Sequence, residues 1–271
     1  MPAPTRTLFR SARARTLAIC AAPVVALLAV AALAPLPFTI AQPGGTVNVL
    51  GADSGKQVIS LKGVPGRTTD GQLRMTTIVV TGPQVDVRLR DVVSAWFRTD
   101  RAVMPRSAVY PAGSAKENEQ HNAEEMKKSQ TAAEQAALNY LHRSPDQVKV
   151  DLNLADVGGP SAGLLFTLGI IDKIDGDGRG GDLTGGKTIA GTGTIAPNGD
   201  VGEVGGVPLK TQAAKRDGAS VFLLPRKECA AAKQDSPKGL RLVPVDKLND
   251  AVDALKALAA GQDDKVPSCA A

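Results

Sequence analysis

DVGGPSAGLLFTLGIID, at residues 156–172, places one serine after two glycines and a proline, directly before an apolar run with the length of a helix. This context allows two interpretations of Ser161. It can be an N-cap, because a serine hydroxyl accepts a hydrogen bond from a free N–H of the first helical turn. It can also be a nucleophile on a tight turn, where Gly158, Gly159 and Gly163 let the backbone approach a substrate and the helix N-terminus supplies N–H groups for an oxyanion. The second interpretation requires a general base.

The patterns on both sides of this serine predict an α/β domain. Residues 147–154 alternate apolar and polar side chains with the period of a half-buried strand. The apolar run after Ser161 predicts a helix to about residue 174. Further signals then alternate, with strands predicted at 187–195, 220–225 and 240–245 and helices at 207–218, 227–234 and 246–259. This alternation is typical of an α/β fold, which we assign to residues 146–271.

The preceding region, residues 42–145, has the signals of a small α+β region with a long helix. Residues 42–71 are rich in Gly, Pro and Thr and indicate a linker with short strands, and residues 75–80 predict a strand. An amphipathic helix is predicted at 87–97. Residues 116–143 are mostly polar but carry apolar side chains at helical spacing, which predicts a long helix that serves as packing surface.

The first 41 residues predict a cytoplasmic stub and a transmembrane anchor. Four arginines, at positions 6, 10, 13 and 15, precede 21 uncharged residues at 16–36. A helix of that length crosses a hydrocarbon core of about 30 Å. Positive charge keeps the N-terminal end in the cytoplasm, so we expect a single-pass protein of the cell membrane with its main domain extracytoplasmic. A cleaved signal peptide, which would give a secreted protein, is the alternative.

The formal charge of +5 does not indicate a nucleic-acid partner. The four N-terminal arginines account for most of it, since the rest of the chain carries 28 basic and 27 acidic side chains. The sequence also lacks the basic stripe interleaved with aromatic residues that a DNA or RNA surface needs. We therefore expect no nucleic acid among the partners.

The cysteines indicate a disulfide. Cys229 and Cys269 would both lie in an oxidising compartment, where two thiols commonly pair, and we predict a bond between them. Cys20 lies inside the uncharged stretch and is expected to be an apolar side chain. No C-x-x-C motif occurs, which argues against metal or redox chemistry.

Three glycine-rich segments imitate cofactor motifs, and each lacks the context that its motif needs. Residues 181–188, GDLTGGKT, match the phosphate-loop pattern, but a glycine-broken strand follows where a helix is required. GTGTIA at 191–196 is followed by a Pro-Asn-Gly turn where a dinucleotide-binding helix should begin. DGDGRG at 175–180 begins like a calcium loop, but Arg179 and Gly186 stand at ligand positions. We predict no cofactor and no metal.

The candidate base for Ser161 is a lysine. The only histidines, His121 and His142, lie on the long polar helix, outside the α/β domain, and are expected to be solvated. A lysine with an ordinary pKa of about 10.4 is neutral at pH 7 only at a cost of about 4.6 kcal/mol, so burial must lower its pKa. Lys210 is the candidate, because the helix predicted at 207–218 turns it toward the same edge as its apolar residues.

Three motifs in this domain resemble the proteolytic domain of Lon proteases. GPSAG at 159–163 is similar to the nucleophile motif of the family, and GGVPLK at 205–210 is similar to its lysine motif. TGTIAPNGDVGEVGG at 192–206 aligns without gaps with the strand and turn that precede the lysine. The resemblance covers about residues 148–258.

The resemblance implies a Ser-Lys peptidase with the α/β fold of ribosomal protein S5 domain 2. It implies that Ser161 is the nucleophile, that Lys210 is the general base and that Thr192 hydrogen-bonds the lysine. Backbone N–H groups around Gly159 and Ala162 are expected to hold the oxyanion. Many energy-dependent Lon enzymes have Asp where Gly158 stands here.

The whole chain resembles membrane-anchored Lon-like proteins but leaves no room for their PDZ module, since the long helix ends a few residues before the strand at 147–154. We also recognise no ATPase module. The sequence therefore predicts an ATP-independent serine endopeptidase of the envelope that cleaves flexible or unfolded protein segments. The alternative is a catalytically inactive Lon-like module for binding or assembly. Expected partners are protein or peptide substrates and the membrane, and self-association as a homo-oligomer is left open.

Overall fold

The computed structural model describes residues 12–111, 115–154 and 159–269. The described residues form eight α-helices: α1 Ala12–Leu33, α2 Leu89–Trp96, α3 Arg106–Val109, α4 Ala115–Tyr140, α5 Gly163–Ile174, α6 Val207–Arg216, α7 Cys229–Gln234 and α8 Leu248–Ala259. Two 3-10 turns, Arg226–Glu228 and Asp263–Lys265, accompany them. The position of Gly158, with its neighbours at 155–157, lies outside the described residues.

The same residues form twelve short or medium strands. They are β1 Phe38–Asn48, β2 Ala52–Asp53, β3 Lys56–Gln57, β4 Ile59–Lys62, β5 Gln72–Val80, β6 Ala102–Pro105, β7 Lys149–Leu152, β8 Thr188–Gly191, β9 Thr194–Ile195, β10 Val201–Gly202, β11 Val221–Pro225 and β12 Arg241–Val245. The predicted helices and strands of residues 146–260 appear with ends shifted by a few residues, except that the strand predicted at 187–195 is divided into β8 and β9, which belong to different sheets.

A mixed six-stranded sheet organises the fold, in the order β12-β11-β8-β5-β1-β6. The four strands from β12 to β5 run parallel, whereas β1 pairs antiparallel with both β5 and β6. Most of β1 falls where a linker with short strands was expected, yet it is a long strand inside the sheet. Its glycines at positions 44 and 45 fall where the register shifts between Pro43 and Thr46, so a bulge accommodates residues that a regular strand would exclude.

One core joins the two regions that the sequence suggested. Leu73 and Met75 of β5 pack in the same buried cluster as Ala133 of α4 and the fully buried Phe166 of α5. The sheet likewise takes β1, β5 and β6 from residues before 145 and β8, β11 and β12 from residues after it. The boundary at residues 145 and 146 stays a prediction, and both of its sides contribute to this core.

The N-terminal helix α1 is the one described helix that is long and apolar enough to cross a membrane, at Ala14–Leu33. Its side chains from residue 15 to residue 33 are exposed, as expected for a segment whose partner is lipid or which is a signal sequence. The α/β fold class, with an apolar N-terminal helix, a long helix and a curled mixed sheet, is confirmed.

The C-terminal tail is tied to the body of the domain. Cys229, at the start of α7, forms a disulfide with Cys269, and their Cα atoms are 5.5 Å apart. This is the pairing that the sequence analysis predicts. Cys269 packs against a second buried cluster, which contains Val207 and Ala214 of α6. The tail therefore supports the helix that carries Lys210.

Candidate active site

Ser161 is not a helix cap in the structure. Helix α5 begins at Gly163, its N-cap is Ala162, and no side chain makes a capping hydrogen bond there. Ser161 is half-buried in the turn just before the cap. Its carbonyl oxygen accepts a hydrogen bond from the amide of Gly193 at 3.0 Å. The backbone of Ser161 is thus held in place, while its hydroxyl makes no hydrogen bond within the described residues.

The long helix α4 holds the turn that carries Ser161. Ser129 Oγ donates to the carbonyl oxygen of Pro160 at 3.0 Å, and the amide of Gly159 donates to the carbonyl oxygen of Asn122 at 3.2 Å. Ser129 is buried, so its hydrogen bond is shielded from water. Two turns of one helix therefore fix the two residues that precede Ser161.

Helix α6 carries Lys210 on its buried face. The helix follows Gly206, whose backbone has a positive φ of 71°, a conformation that residues with a Cβ seldom adopt. A Cβ at this position would also lie 3.0 Å from Cγ2 of Ile78. Lys210 is 3% exposed, whereas Lys215 on the outer face is exposed. The glycine turn thus lets α6 approach β5 closely enough to bury the lysine.

Thr192 connects the lysine to the serine turn. Lys210 Nζ donates to Thr192 Oγ1 at 3.1 Å, and Thr192 Oγ1 donates to the carbonyl oxygen of Ser161 at 3.2 Å. Thr192 is fully buried, and its amide donates to the carbonyl oxygen of Leu223 on β11. Within the described residues, no hydrogen bond joins Lys210 Nζ directly to Ser161 Oγ. Catalytic hydrogen bonds are often long before substrate binds, so this arrangement is compatible with a catalytic dyad of Ser161 and Lys210.

Burial gives Lys210 the electrostatics of a base. Loss of hydration lowers the pKa of its amine to about 8, because a charged ammonium is disfavoured away from water. The carboxylate of Glu228 acts in the opposite direction and keeps the pKa from falling further. With a pKa of about 8, about a tenth of the amine is neutral at pH 7 and about half at pH 8.

Ser161 and Lys210 line one cavity of about 370 Å³. Strand β8 pairs with β5 only as far as Met75, which faces Gly191, so the continuation of β5 borders open space. The other residues that line the cavity are Met75, Thr77, Ile78, Val79, Met126, Gly159, Ala162 and Gly205. The cavity therefore combines an apolar wall with the buried amine of Lys210 and the hydroxyls of Ser161 and Thr77, and Thr77 Oγ1 already donates to the carbonyl oxygen of Gly45.

The turn also offers backbone donors to this cavity. The amide of Gly159 is already bonded to α4, whereas the amides of Ser161 and Ala162 have no acceptor among the described residues. Both residues line the cavity and precede the first turn of α5, where the helix dipole favours negative charge. These two N–H groups are therefore the donors available for an oxyanion.

The family model for the Lon protease (S16) C-terminal proteolytic domain matches residues 120–258. The chain belongs to the Lon protease family. This membership confirms the resemblance and identifies the chain with a family of serine peptidases. The match begins within α4, upstream of the region where the motifs resemble the family. No significant match was found among curated proteins.

The structure adds residues of the Lon domain that the motifs did not indicate. The sequence singled out Ser161, Lys210, Thr192, Gly159 and Ala162, and the structure brings all five together. It did not single out Asn122, Ser129 or Met126, because α4 was interpreted as packing surface only. The sequence did contain one signal: Ser129 lies one turn from both Met126 and Ala133, on the apolar face of α4. A hydroxyl buried on such a face needs a hydrogen-bond partner, which indicates a contact with another segment.

The remaining candidates of the sequence lie away from the Lon-domain cavity. His121 and His142 are both exposed, on α4 and just after it. The segment at 181–188 leads into β8, and Lys187 Nζ donates to the carbonyl oxygen of Leu258. Within the described residues, no group of three or more His, Cys, Asp or Glu side chains is placed to hold a metal ion.

Proposed function

We propose that this chain is an ATP-independent serine endopeptidase in which Ser161 is the nucleophile and Lys210 the general base. The observation that carries the proposal is a buried lysine, with a pKa near 8, in the same cavity as a serine that has no capping role. Family membership makes peptide hydrolysis the expected reaction.

The neutral amine of Lys210 takes the proton of the Ser161 hydroxyl as the oxygen attacks a peptide carbonyl. Thr192 Oγ1 accepts a 3.1 Å hydrogen bond from the amine and donates to the carbonyl oxygen of Ser161. It therefore fixes the amine relative to the backbone of Ser161. The developing ammonium would be costly without a partner, and Thr192 Oγ1 and the new oxyanion both stabilise it. The reaction therefore needs Lys210 to be neutral before attack and charged after it.

The oxyanion of the tetrahedral intermediate is held by the amides of Ser161 and Ala162, assisted by the N-terminus of α5. Protonated Lys210 then returns its proton to the leaving amine, which completes the acyl-enzyme. Water, deprotonated by the same lysine, hydrolyses the ester and regenerates Ser161. Each step uses groups that line the cavity.

The substrates we propose are flexible or already unfolded protein segments. Without an unfoldase, the enzyme depends on chains that are extended when they arrive. An extended peptide fits the open part of β5 at 77–79, where the sheet lacks a neighbour beyond β8. The apolar wall formed by Ile78, Val79 and Met126 favours apolar side chains next to the scissile bond.

We further propose that α1 anchors the chain in the cell membrane with the protease domain outside. The support is the apolar length of α1 and the four arginines before it and in its first turn. Protease added to intact cells that have been stripped of their wall should digest the domain. Protection until the cells are lysed would contradict this orientation.

The peptidase assignment is tested with the full chain in detergent, incubated with unfolded casein in the absence of ATP. The full chain is needed because β1 begins at Phe38, and a fragment that began at residue 42 would remove part of a central strand. We expect the wild type to cleave casein at a rate that ATP does not increase, and we expect Ser161→Ala not to cleave it. Absence of cleavage, together with no labelling of Ser161 by a fluorophosphonate, would favour the inactive binding module instead.

A further inference from the structure

Helix α2 presents an apolar face that nothing in the described chain covers. Leu89, Val93 and Trp96 follow one another at helical spacing, and Phe97 continues the same face at the C-cap. Trp96 is 81% exposed and Phe97 83%, which is unusual for the two largest apolar side chains of a region. Ala95 is the buried residue of this helix and lies on the opposite side. The apolar face therefore points away from the protein.

The position of α2 relates this face to the apolar helix α1. Only residues 34–37 separate the end of α1 from the start of β1, a linker that reaches less than about 20 Å. Within it, the amide of Leu36 donates to the carbonyl oxygen of Val87 at 2.8 Å, two residues before α2 begins. Helix α1 also contacts α2 directly. Helix α2 thus lies where α1 leaves the folded domain.

The charges around α2 fit an anionic surface. Residues 85–106 contain five arginines and three aspartates. Arg90 and Arg98 flank the apolar face, and their side chains are 77% and 49% exposed. Each contacts a neighbouring aspartate, in exposed ion pairs of the kind that contribute little and exchange readily with other anions. Arginine guanidinium groups bind phosphate oxygens in a bidentate manner.

We propose that the exposed face of α2 docks onto the anionic bilayer surface that α1 enters. Leu89, Val93, Trp96 and Phe97 would lie at the boundary between headgroups and acyl chains, and Arg90 and Arg98 would bind lipid phosphates. Tryptophan and phenylalanine are the side chains that such interfaces favour, and a helix of this type lies about 5 to 10 Å deep. Docking would hold the domain against the membrane. This proposal rests on the membrane anchor proposed for α1 and is independent of the catalytic roles of Ser161 and Lys210.

The chain has one tryptophan, so its fluorescence reports on α2 alone. The full chain is reconstituted in vesicles of phosphatidylcholine with and without phosphatidylglycerol. In vesicles with phosphatidylglycerol we expect a blue-shifted emission, loss of acrylamide quenching, and stronger quenching by lipids brominated near the headgroup than near the chain end. Emission that stays red-shifted and open to acrylamide would overturn the proposal. So would a blue shift without lipid quenching, because a second protein copy would then cover the face.

Two matched variants separate docking by α2 from mere proximity to α1. Val93→Glu places a charge on the apolar face at an exposed position and should abolish lipid quenching of Trp96. Ser94→Glu adds the same charge one residue further, outside that face, and should leave the quenching unchanged. Quenching that survives Val93→Glu would overturn the proposal. Equal quenching in phosphatidylcholine alone would contradict the role given to the arginines.

Discussion

Helix α5 begins beside Ser161 and ends near Asp172, and a buried ionisable group lies near each end. Near the first end, burial lowers the pKa of Lys210 to about 8. Near the second, burial raises the pKa of Asp172 to about 6, and the amide of Leu183 counteracts this in part by donating to Oδ1 at 2.8 Å. In both cases loss of hydration disfavours the charged form.

The two groups differ in what they face. Lys210 lines a cavity that also contains Ser161, and its amine is held by Thr192. Asp172 is fully buried, and its Oδ2 has no partner among the described residues. Nearby, Arg67 Nη2 donates to the carbonyl oxygens of Gly180 and Gly181 and so holds the loop after α5. A shifted pKa indicates chemistry only where the group can reach a substrate, so the catalytic role that we propose falls on Lys210 and not on Asp172.

The largest expected effect is loss of turnover in Lys210→Met, by about a thousandfold or more in kcat, as for removal of a base from other serine hydrolases. Methionine approximates the volume of the lysine stem but accepts no proton. Lys210→Arg should fail equally, because a guanidinium stays protonated. Casein cleavage measures both, with Lys187→Ala as the control, which should keep activity. Loss of activity in Lys187→Ala alone would contradict the assignment of the base.

The same Lys210→Met variant should be more stable than the wild type at pH 7. The unfolded chain binds a proton at Lys210 up to a pH near 10.5, but the folded chain only up to about 8, so below pH 8 folding carries the cost of an unfavourable ammonium. Removal of the ammonium should raise the free energy of unfolding by roughly 1 to 3 kcal/mol, a range that allows for the lost hydrogen bond to Thr192. Urea unfolding should show this gain shrinking between pH 8 and 10.5. A variant that is less stable at pH 7 would contradict the cost that we assign to the buried ammonium of Lys210.

At the other end of α5, Asp172→Asn should leave kcat/KM unchanged and raise stability by about 1 to 2 kcal/mol at pH 7. The folded pKa of about 6 exceeds the unfolded value of 3.8, so the wild type loses stability as pH rises between these values. The advantage of asparagine should thus be absent below pH 4 and complete above pH 6. Urea unfolding at three pH values measures it. A large fall in kcat/KM with stability intact would break the comparison, because Asp172 would then serve the reaction.

A smaller effect is expected for Ser129→Ala, which removes the hydrogen bond from α4 to Pro160. A misplaced turn should lower kcat for a peptide several-fold, corresponding to about 1 kcal/mol, with little change in KM. Thr131→Ala is the matched control, since Thr131 is an exposed residue of the same helix. If both variants lost activity equally, the effect would come from α4 as a whole and not from the turn.

Much of this architecture could be predicted from the sequence, because local patterns determine it. Helices α5, α6 and α8 have apolar faces and glycine or polar boundaries that fix them within a few residues. Strand β1 could not be predicted as a central strand, because Pro43 and two glycines conceal it and its partners lie far along the chain. For such strands, pairing across the sheet outweighs the local preference of the residues.

The candidate site divides in the same way. The resemblance to the family was enough to identify Ser161, Thr192 and Lys210, because each lies in one of the matching motifs. Ser129 and Asn122 act through the register of α4 against the serine turn, which depends on how two distant segments pack. The exposure of Trp96 is a similar case, since the amphipathic pattern of α2 predicts a helix but does not say that its apolar face points away from the core.

The pH dependence of kcat/KM for a short peptide tests the Ser161 and Lys210 dyad most directly. Only the neutral amine accepts the serine proton, so kcat/KM should rise about tenfold per pH unit below the pKa and level off above about pH 8. Asp172→Asn should show the same profile. A flat profile between pH 6 and 9, or a rise centred near pH 6 that Asp172→Asn removes, would contradict the assignment of Lys210 as the general base.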